Sequence, residues 1–313
     1  MPICVFDIAP DGTATAADAT TPKPDGGYRW YHFDLSDLDL PGFLATHVPD
    51  IPTAALIEPE TRPRCDVFEN GLILNLRGVN LNTDGPADQM ISVRMWITPD
   101  LVVTVRLRKV FAIDAMRQSA MAGRAPATPM GFVGVLSAAL MARVRDSVFA
   151  LSLRVDALED DILEDTQGIA SDFAQKRRMA IRFRRYLVPQ RDALLALVTI
   201  NHDMMSKGQK ARLREQANLG KLAVEELDSL VSRMTAIHDH YNAETARQQS
   251  RHGYVLSLVA TVFLPLGFIT GLFGVNVGGM PGVQSDWAFA ILCAAMAIQV
   301  ALAVWALRRL KWL

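Results

Sequence analysis

Two apolar runs near the C-terminus constrain this chain more than anything else in it. Tyr254 to Phe273 reads YVLSLVATVFLPLGFITGLF, and Trp287 to Leu307 reads WAFAILCAAMAIQVALAVWAL. Neither holds a Lys, Arg, His, Asp or Glu. At ~1.5 Å per residue each reaches roughly 30 Å, the thickness of a bilayer's hydrocarbon core. Core helices of soluble proteins this long carry a charged stripe, and these carry none. Both runs are expected to span a membrane, at about 254–275 and 287–307.

Flanking charge orients them. Arg247, Arg251 and His252 precede the first span, and Arg308, Arg309 and Lys311 follow the second. The segment 274–286 between them has no Lys or Arg and one acid, Asp286. Positive charge stays on the cytoplasmic side. Both ends are therefore expected in the cytoplasm, with a short outer loop. Trp287 and Trp312 suit interfacial anchoring, and Trp305 suits either anchoring or packing within a bundle.

The N-terminal MPICVFDIAPDG lacks the basic and apolar regions of a secretory signal, so the residues before the spans are expected in the cytoplasm. The chain has 32 Lys and Arg against 33 Asp and Glu, a net charge of −1. That lacks the basic surplus of a nucleic-acid-binding protein. Cys4, Cys65 and Cys293 form no CxxC pair, which argues against a disulfide framework or a zinc knuckle. No P-loop, GxSxG or HExxH motif is present, so neither an enzyme, an ATPase nor a cofactor is expected.

Residues 1–108 alternate apolar and polar in short runs: ICVFDI, YRWYHFDL, TAALIE, CDVFENGLILNLRGV and ISVRMWITPDLVVTVRLR. These read as strands, with Asn70-Gly71 and Pro99-Asp100 as turns. LPGFLATHV (40–48) reads as a short helix, and 10–26 and 82–88 as exposed loops. From Val110 the period becomes helical, with helices expected at about 110–123, 129–167, 171–202 and 207–273. The expected fold class is an α+β/α membrane protein. A cytoplasmic α/β sheet domain (1–125) leads to a helical hairpin and stalk (126–252), and the stalk continues into a transmembrane hairpin (253–313).

Two charge runs mark the helical half. LEDDILED (158–165) is acidic and KRRMAIRFRR (176–185) is basic, with Gly168 as a turn between them. Folding the sequence about 169–170 sets Asp161 opposite Arg178 and Glu164 near Lys176. Mutual neutralisation on a solvated hairpin is the simpler reading, and acids that gather cations beside the main path are the other.

His238-Asp239-His240 has the side chains of a metal site without the spacing. Residues two apart on a helix point about 200° from each other, so one helix cannot chelate with both His238 and His240. Asp239 is the better candidate, as one member of a carboxylate ring around an oligomer axis.

Two spans cannot enclose an aqueous path, so permeation requires several chains around an axis. Counting back from Asn276 at helical spacing gives Gly271, Gly267, Leu264, Ala260, Leu256 or Ser257, and Gly253. This face is uncharged and mostly small. It equally fits plain helix packing, since Gly267-xxx-Gly271 matches GxxxG.

FLPLGFITGLFGVN, a second span and a basic tail resemble the signature of the CorA-type metal ion transporters. That family has a Gly-x-Asn motif at the outer end of its first span, here Gly274-Val275-Asn276, and a proline within that span, here Pro265. GVNVGGMPG (274–282) is similar to the ZntB zinc-transporter branch. The magnesium branch reads Gly-Met-Asn with a loop ending Met-Pro-Glu, whereas Gly282 follows Pro281 here.

The resemblance implies a homopentameric funnel in the inner membrane whose first span lines the pore. It implies an Asn276 ring at the outer mouth, Asp239 lower on the axis, and Zn²⁺ uptake with protons as a candidate coupling ion. Partners would be further copies of the chain, the lipid bilayer and divalent cations. A Mg²⁺/Co²⁺ channel of the same family and a membrane-tethered sensor or scaffold are the alternatives. The Gly-x-Asn junction argues against the last.

Overall fold

The computed structural model describes residues 1–18, 26–83, 85–86, 88–164, 170–200, 204–275, 280–282 and 284–309, with the backbone alone for 160–164 and 170–172. The chain forms two compact units, Met1–Ile237 and His238–Leu313.

In the first unit, β1 (Cys4–Ile8), β2 (Ala14–Ala16) and β3 (Tyr28–Asp34) precede two short helices, α1 (Leu40–His47) and α2 (Asp50–Ile57). Then come β4 (Arg64–Phe68), β5 (Gly71–Gly78), β6 (Ile91–Ile97) and β7 (Leu101–Arg106). The strands make one mixed sheet of order β2-β1-β3-β7-β6-β5-β4, antiparallel except where β3 runs parallel to β7. β6 is buried along its whole length, as a central strand covered on both faces should be. Its Val93, Met95 and Ile97 belong to the core shared with the long helices, and Trp96 packs with Leu44, Leu56 and the α1–α2 side.

Helices α3 (Phe111–Met121), α4 (Pro129–Glu164), α5 (Ala170–Thr199) and α6 (Lys207–Gly274) follow. On α4, Leu140, Val144, Val148, Leu151 and Val155 are buried, and on α6, Leu213, Ala217, Gly220, Val224, Leu227 and Met234. That spacing of three and four puts one stripe of each helix against the core. Ser206 and Gln209 form a reciprocal capping box at the start of α6: Ser206 N donates to Gln209 Oε1 (2.9 Å) and Gln209 N to Ser206 Oγ (3.3 Å). Gln209 Nε2 also donates to Thr128 Oγ1 (2.5 Å), and that hydroxyl caps Gly131 N of α4 (3.0 Å). One side chain thus ties the starts of two long helices together.

Two local expectations need correction. TAALIE is helical from Thr53 to Ile57, within α2, with Glu58 as the C-cap, because six residues are too few to separate a period of 2 from 3.6. Pro49 and Asp50 begin that helix, and it buries Ala55 and Leu56. Residues 14–16, expected in a loop, form the edge strand β2 against β1. The charge pairs Asp161–Arg178 and Glu164–Lys176, and the turn at Gly168, involve positions outside the described residues. Among the described residues, Arg182 pairs with Asp88 (3.0 Å), Arg184 pairs with Asp228 of α6, and Arg233 of α6 pairs with Asp156 of α4 (2.6 Å) and with Glu159.

In the second unit, α6 runs on without interruption to Gly274, and α7 spans Ala288–Arg309. Each helix contains a stretch long and apolar enough to cross a membrane, and almost none of either stretch is buried within the chain.

Candidate functional site

The unbroken course of α6 to Gly274 turns sequence spacing into geometry. Asp239, Gly253, Leu256, Ala260, Leu264, Gly267, Gly271 and Gly274 recur at three or four residues, or whole multiples of a turn. At about 100° per residue they occupy one face of the helix. Leu256 and Leu264 on that face are 71% and 77% exposed in the single chain. His238, Asp239 and His240 are all exposed, and the two histidines flank the Asp239 direction instead of sharing it. No group of three His, Cys, Asp or Glu able to hold a metal occurs among the described residues. Val275 is exposed just past the helix end, and Asn276 lies outside the described residues.

The glycines of this face have no packing reason within one chain. A Cβ built on Gly253, Gly267, Gly271 or Gly274 meets nothing within 4 Å. By contrast, a Cβ on Gly220, lower on the same helix, would touch Arg191 at 3.5 Å. Small residues on a span let a second helix backbone approach closely.

Pro265 lies inside α6 and lacks an N–H, so the carbonyl of Thr261, four residues earlier, loses its helical donor. A freed carbonyl near mid-span is an oxygen acceptor that reading by side chain alone misses. The nearby hydroxyls are already spent on the helix. Thr261 Oγ1 donates to Ser257 O (2.8 Å), and Thr270 Oγ1 to Leu266 O (3.0 Å). A second overlooked group is Gln299, the amide of α7, whose Oε1 is buried without a hydrogen-bond partner. An amide inside an apolar run was its signal. Near the end of α7, the Arg309 guanidinium sits 5.3 Å from the centre of the Trp305 ring, which is mostly exposed, an arrangement suited to anchoring.

The family model for CorA-like Mg2+ transporter protein matches residues 25–309. The zinc transport protein ZntB of Yersinia enterocolitica is 31% identical over 311 residues, covering 99% of this chain and 92% of the relative. ZntB of Pectobacterium atrosepticum is 34% identical, covering 85% and 81%. Among solved structures, the full-length CmaX protein superposes with a TM-score of 0.85 at 26% identity, covering 99% of this chain and 98% of that one. The complete CorA magnesium transporter of Methanocaldococcus jannaschii gives a TM-score of 0.79 at 15% identity over the whole of both chains, a likeness of fold. With two C-terminal transmembrane helices and a family match over nearly its whole length, this chain belongs to the CorA-like transporter family and is a divalent cation transporter with a ZntB-like sequence.

Proposed function

We propose that this chain carries Zn²⁺ into the cytoplasm along the axis of a homopentamer in the inner membrane, with both termini cytoplasmic. The observation that carries the reading is the uncharged stretch of the α6 face from Gly253 to Gly274, whose glycines meet nothing in their own chain. Neighbouring copies would supply the missing contacts, and five such faces would line the path. In this arrangement 1–125 is the sheet domain, 126–252 the helical hairpin and stalk, and 253–313 the membrane hairpin.

Five Asn276 amide oxygens at the outer mouth would form a neutral polar ring. Such a ring hydrogen-bonds a cation's water shell without holding the ion too tightly to release it. Val275 and Gly274 set its position, and the Asp239 carboxylates form a second, charged ring at the cytoplasmic end. His238 and His240 flank it on either side of the Asp239 direction. Zinc as cargo is supported by the ZntB relatives and by Gly282 after Pro281. The driving force needs no nucleotide. A divalent ion entering down 100 mV gains roughly 4.6 kcal/mol, twice the value for one charge. Protons moving with the ion would add to it.

Flux into proteoliposomes tests the reading, with Zn²⁺ or Mg²⁺ outside and with or without external acid. Faster Zn²⁺ entry, increased by the pH gradient, supports it. Mg²⁺ carried as fast as Zn²⁺ removes the substrate assignment, and indifference to pH removes the coupling.

A further inference from the structure

Gln299 is the one amide in α7, and the chain shields it among apolar side chains. Within the apolar run of α6, the half-buried residues are Leu258, Val262, Leu266 and Ile269, at spacings of three and four. On α7, Met296, Gln299 and Ala303 are half-buried at the same spacings. Each set is one stripe of its helix, and both helices belong to the same compact unit. The two stripes form the seam where α7 returns alongside α6.

Depth along the seam pairs particular residues. Counted from the ends that the loop joins, Gln299 lies eleven residues after Ala288, and Val262 lies twelve before Gly274. At ~1.5 Å per residue these depths are roughly 16 and 18 Å, the same to within a helical turn. Gln299 is therefore opposite Val262. Thr261 adjoins Val262, and its carbonyl is the one that Pro265 leaves without a donor. Pro265 follows Val262 by three residues and precedes Ile269 by four, so the proline and the carbonyl beneath it border the seam.

Two acceptors without donors thus lie side by side, Thr261 O on α6 and the buried Gln299 Oε1 on α7. The Gln299 oxygen has nothing here to accept from. Pro265 has no N–H, and Thr261 Oγ1 already donates to Ser257 O (2.8 Å). Rotating the amide by 180° keeps its shape and turns Nε2 to the buried side, where Thr261 O accepts from it.

We infer that Gln299 is a positioning residue of the transporter: its Nε2 donates to Thr261 O and replaces, from α7, the bond that Pro265 removes from α6. A helix bends most readily at such a missing bond. The amide fastens this hinge to the second span, so α7 sets the course of the outer half of α6. This role rests on the proposed path along α6, and Gln299 acts on ions only through the helix that lines it.

The test is a double-mutant comparison in proteoliposomes, with Zn²⁺ entry and Mg²⁺ entry each measured. Gln299→Leu should cut maximal entry about fivefold and leave the half-saturating ion concentration unchanged, because no ion contact is lost. Pro265→Ala gives Thr261 O its helical donor back, so adding Gln299→Leu to it should change entry less than about twofold. Thermal unfolding in detergent makes the same comparison without transport. There Gln299→Leu should cost about 2 °C more in the wild-type background than beside Pro265→Ala. Equal costs in the two backgrounds overturn the hydrogen bond. Wild-type entry through Gln299→Leu, or a raised half-saturating concentration, overturns the positioning role. Asn276→Ala assayed alongside reports on the path and the Mg²⁺ arm on the cargo, so failure of either is distinguishable from failure of the Gln299 hinge.

Discussion

His32 donates from Nδ1 to Thr104 Oγ1 across 2.8 Å, and its other ring nitrogen, Nε2, is buried with no partner. The tautomer follows from Thr104, whose one hydroxyl proton goes to Tyr31 O (3.1 Å) and whose oxygen also accepts from Trp30 Nε1 (2.9 Å). Burial, with Arg106 and Arg117 nearby, lowers the His32 pKa to about 4 despite the opposing effect of Asp114. The unfolded chain binds the proton more readily than the folded one. Stability is therefore full above about pH 6.5 and falls as pH drops from there towards 4, by roughly 3 kcal/mol at the limit. Urea unfolding of the detergent-solubilised chain at pH 7 and pH 5 measures this. His32→Gln should be less stable at pH 7 yet lose less between the two pH values.

Arg233 gathers Asp156 and Glu159 of α4 onto α6. The three side chains are partly exposed, so solvent screening leaves the network about 1 kcal/mol. Arg233→Met should lower the unfolding midpoint modestly, and 1 M salt should narrow the gap between variant and wild type.

Gly271→Leu isolates the role of the small face. Nothing within 4 Å opposes a Cβ there in the single chain, so the monomer should fold unchanged. If a neighbouring copy fills that space, the oligomer should weaken. Light scattering in detergent should then show a smaller particle with unaltered secondary structure, and a wild-type oligomer would exclude close helix approach at this position.

The broad architecture was legible because hydrophobic period distinguishes the strands of 1–108 from the helices after Val110, and because lipid-length apolar runs have few alternatives. The details lost were those decided in three dimensions. Asn70-Gly71 reads as the turn, yet the two-residue loop is Glu69–Asn70, with positive φ at Glu69 (48°), and Phe68 pairs with Gly71. Gly71 is needed because a Cβ there would lie 2.4 Å from the Trp96 ring. Nothing local in the sequence announces that contact. The candidate pathway was legible from helical spacing and one short motif. The freed Thr261 carbonyl was not, since it belongs to the backbone.

Orientation has its own test. Single cysteines at 280–282 should react with an impermeant thiol reagent on intact cells, and cysteines at 248–252 should react only after permeabilisation. The opposite pattern would invert both spans and reverse the direction of transport.

The central claim is a Zn²⁺ path through Gly274-Val275-Asn276, and the most direct measurement is Zn²⁺ entry into proteoliposomes holding wild type, Asn276→Ala or Asp239→Asn. Asn276→Ala should keep its expression and oligomer size and lose most of its flux, and Asp239→Asn should lose more than His238→Ala or His240→Ala. Wild-type Zn²⁺ flux through Asn276→Ala would contradict the account.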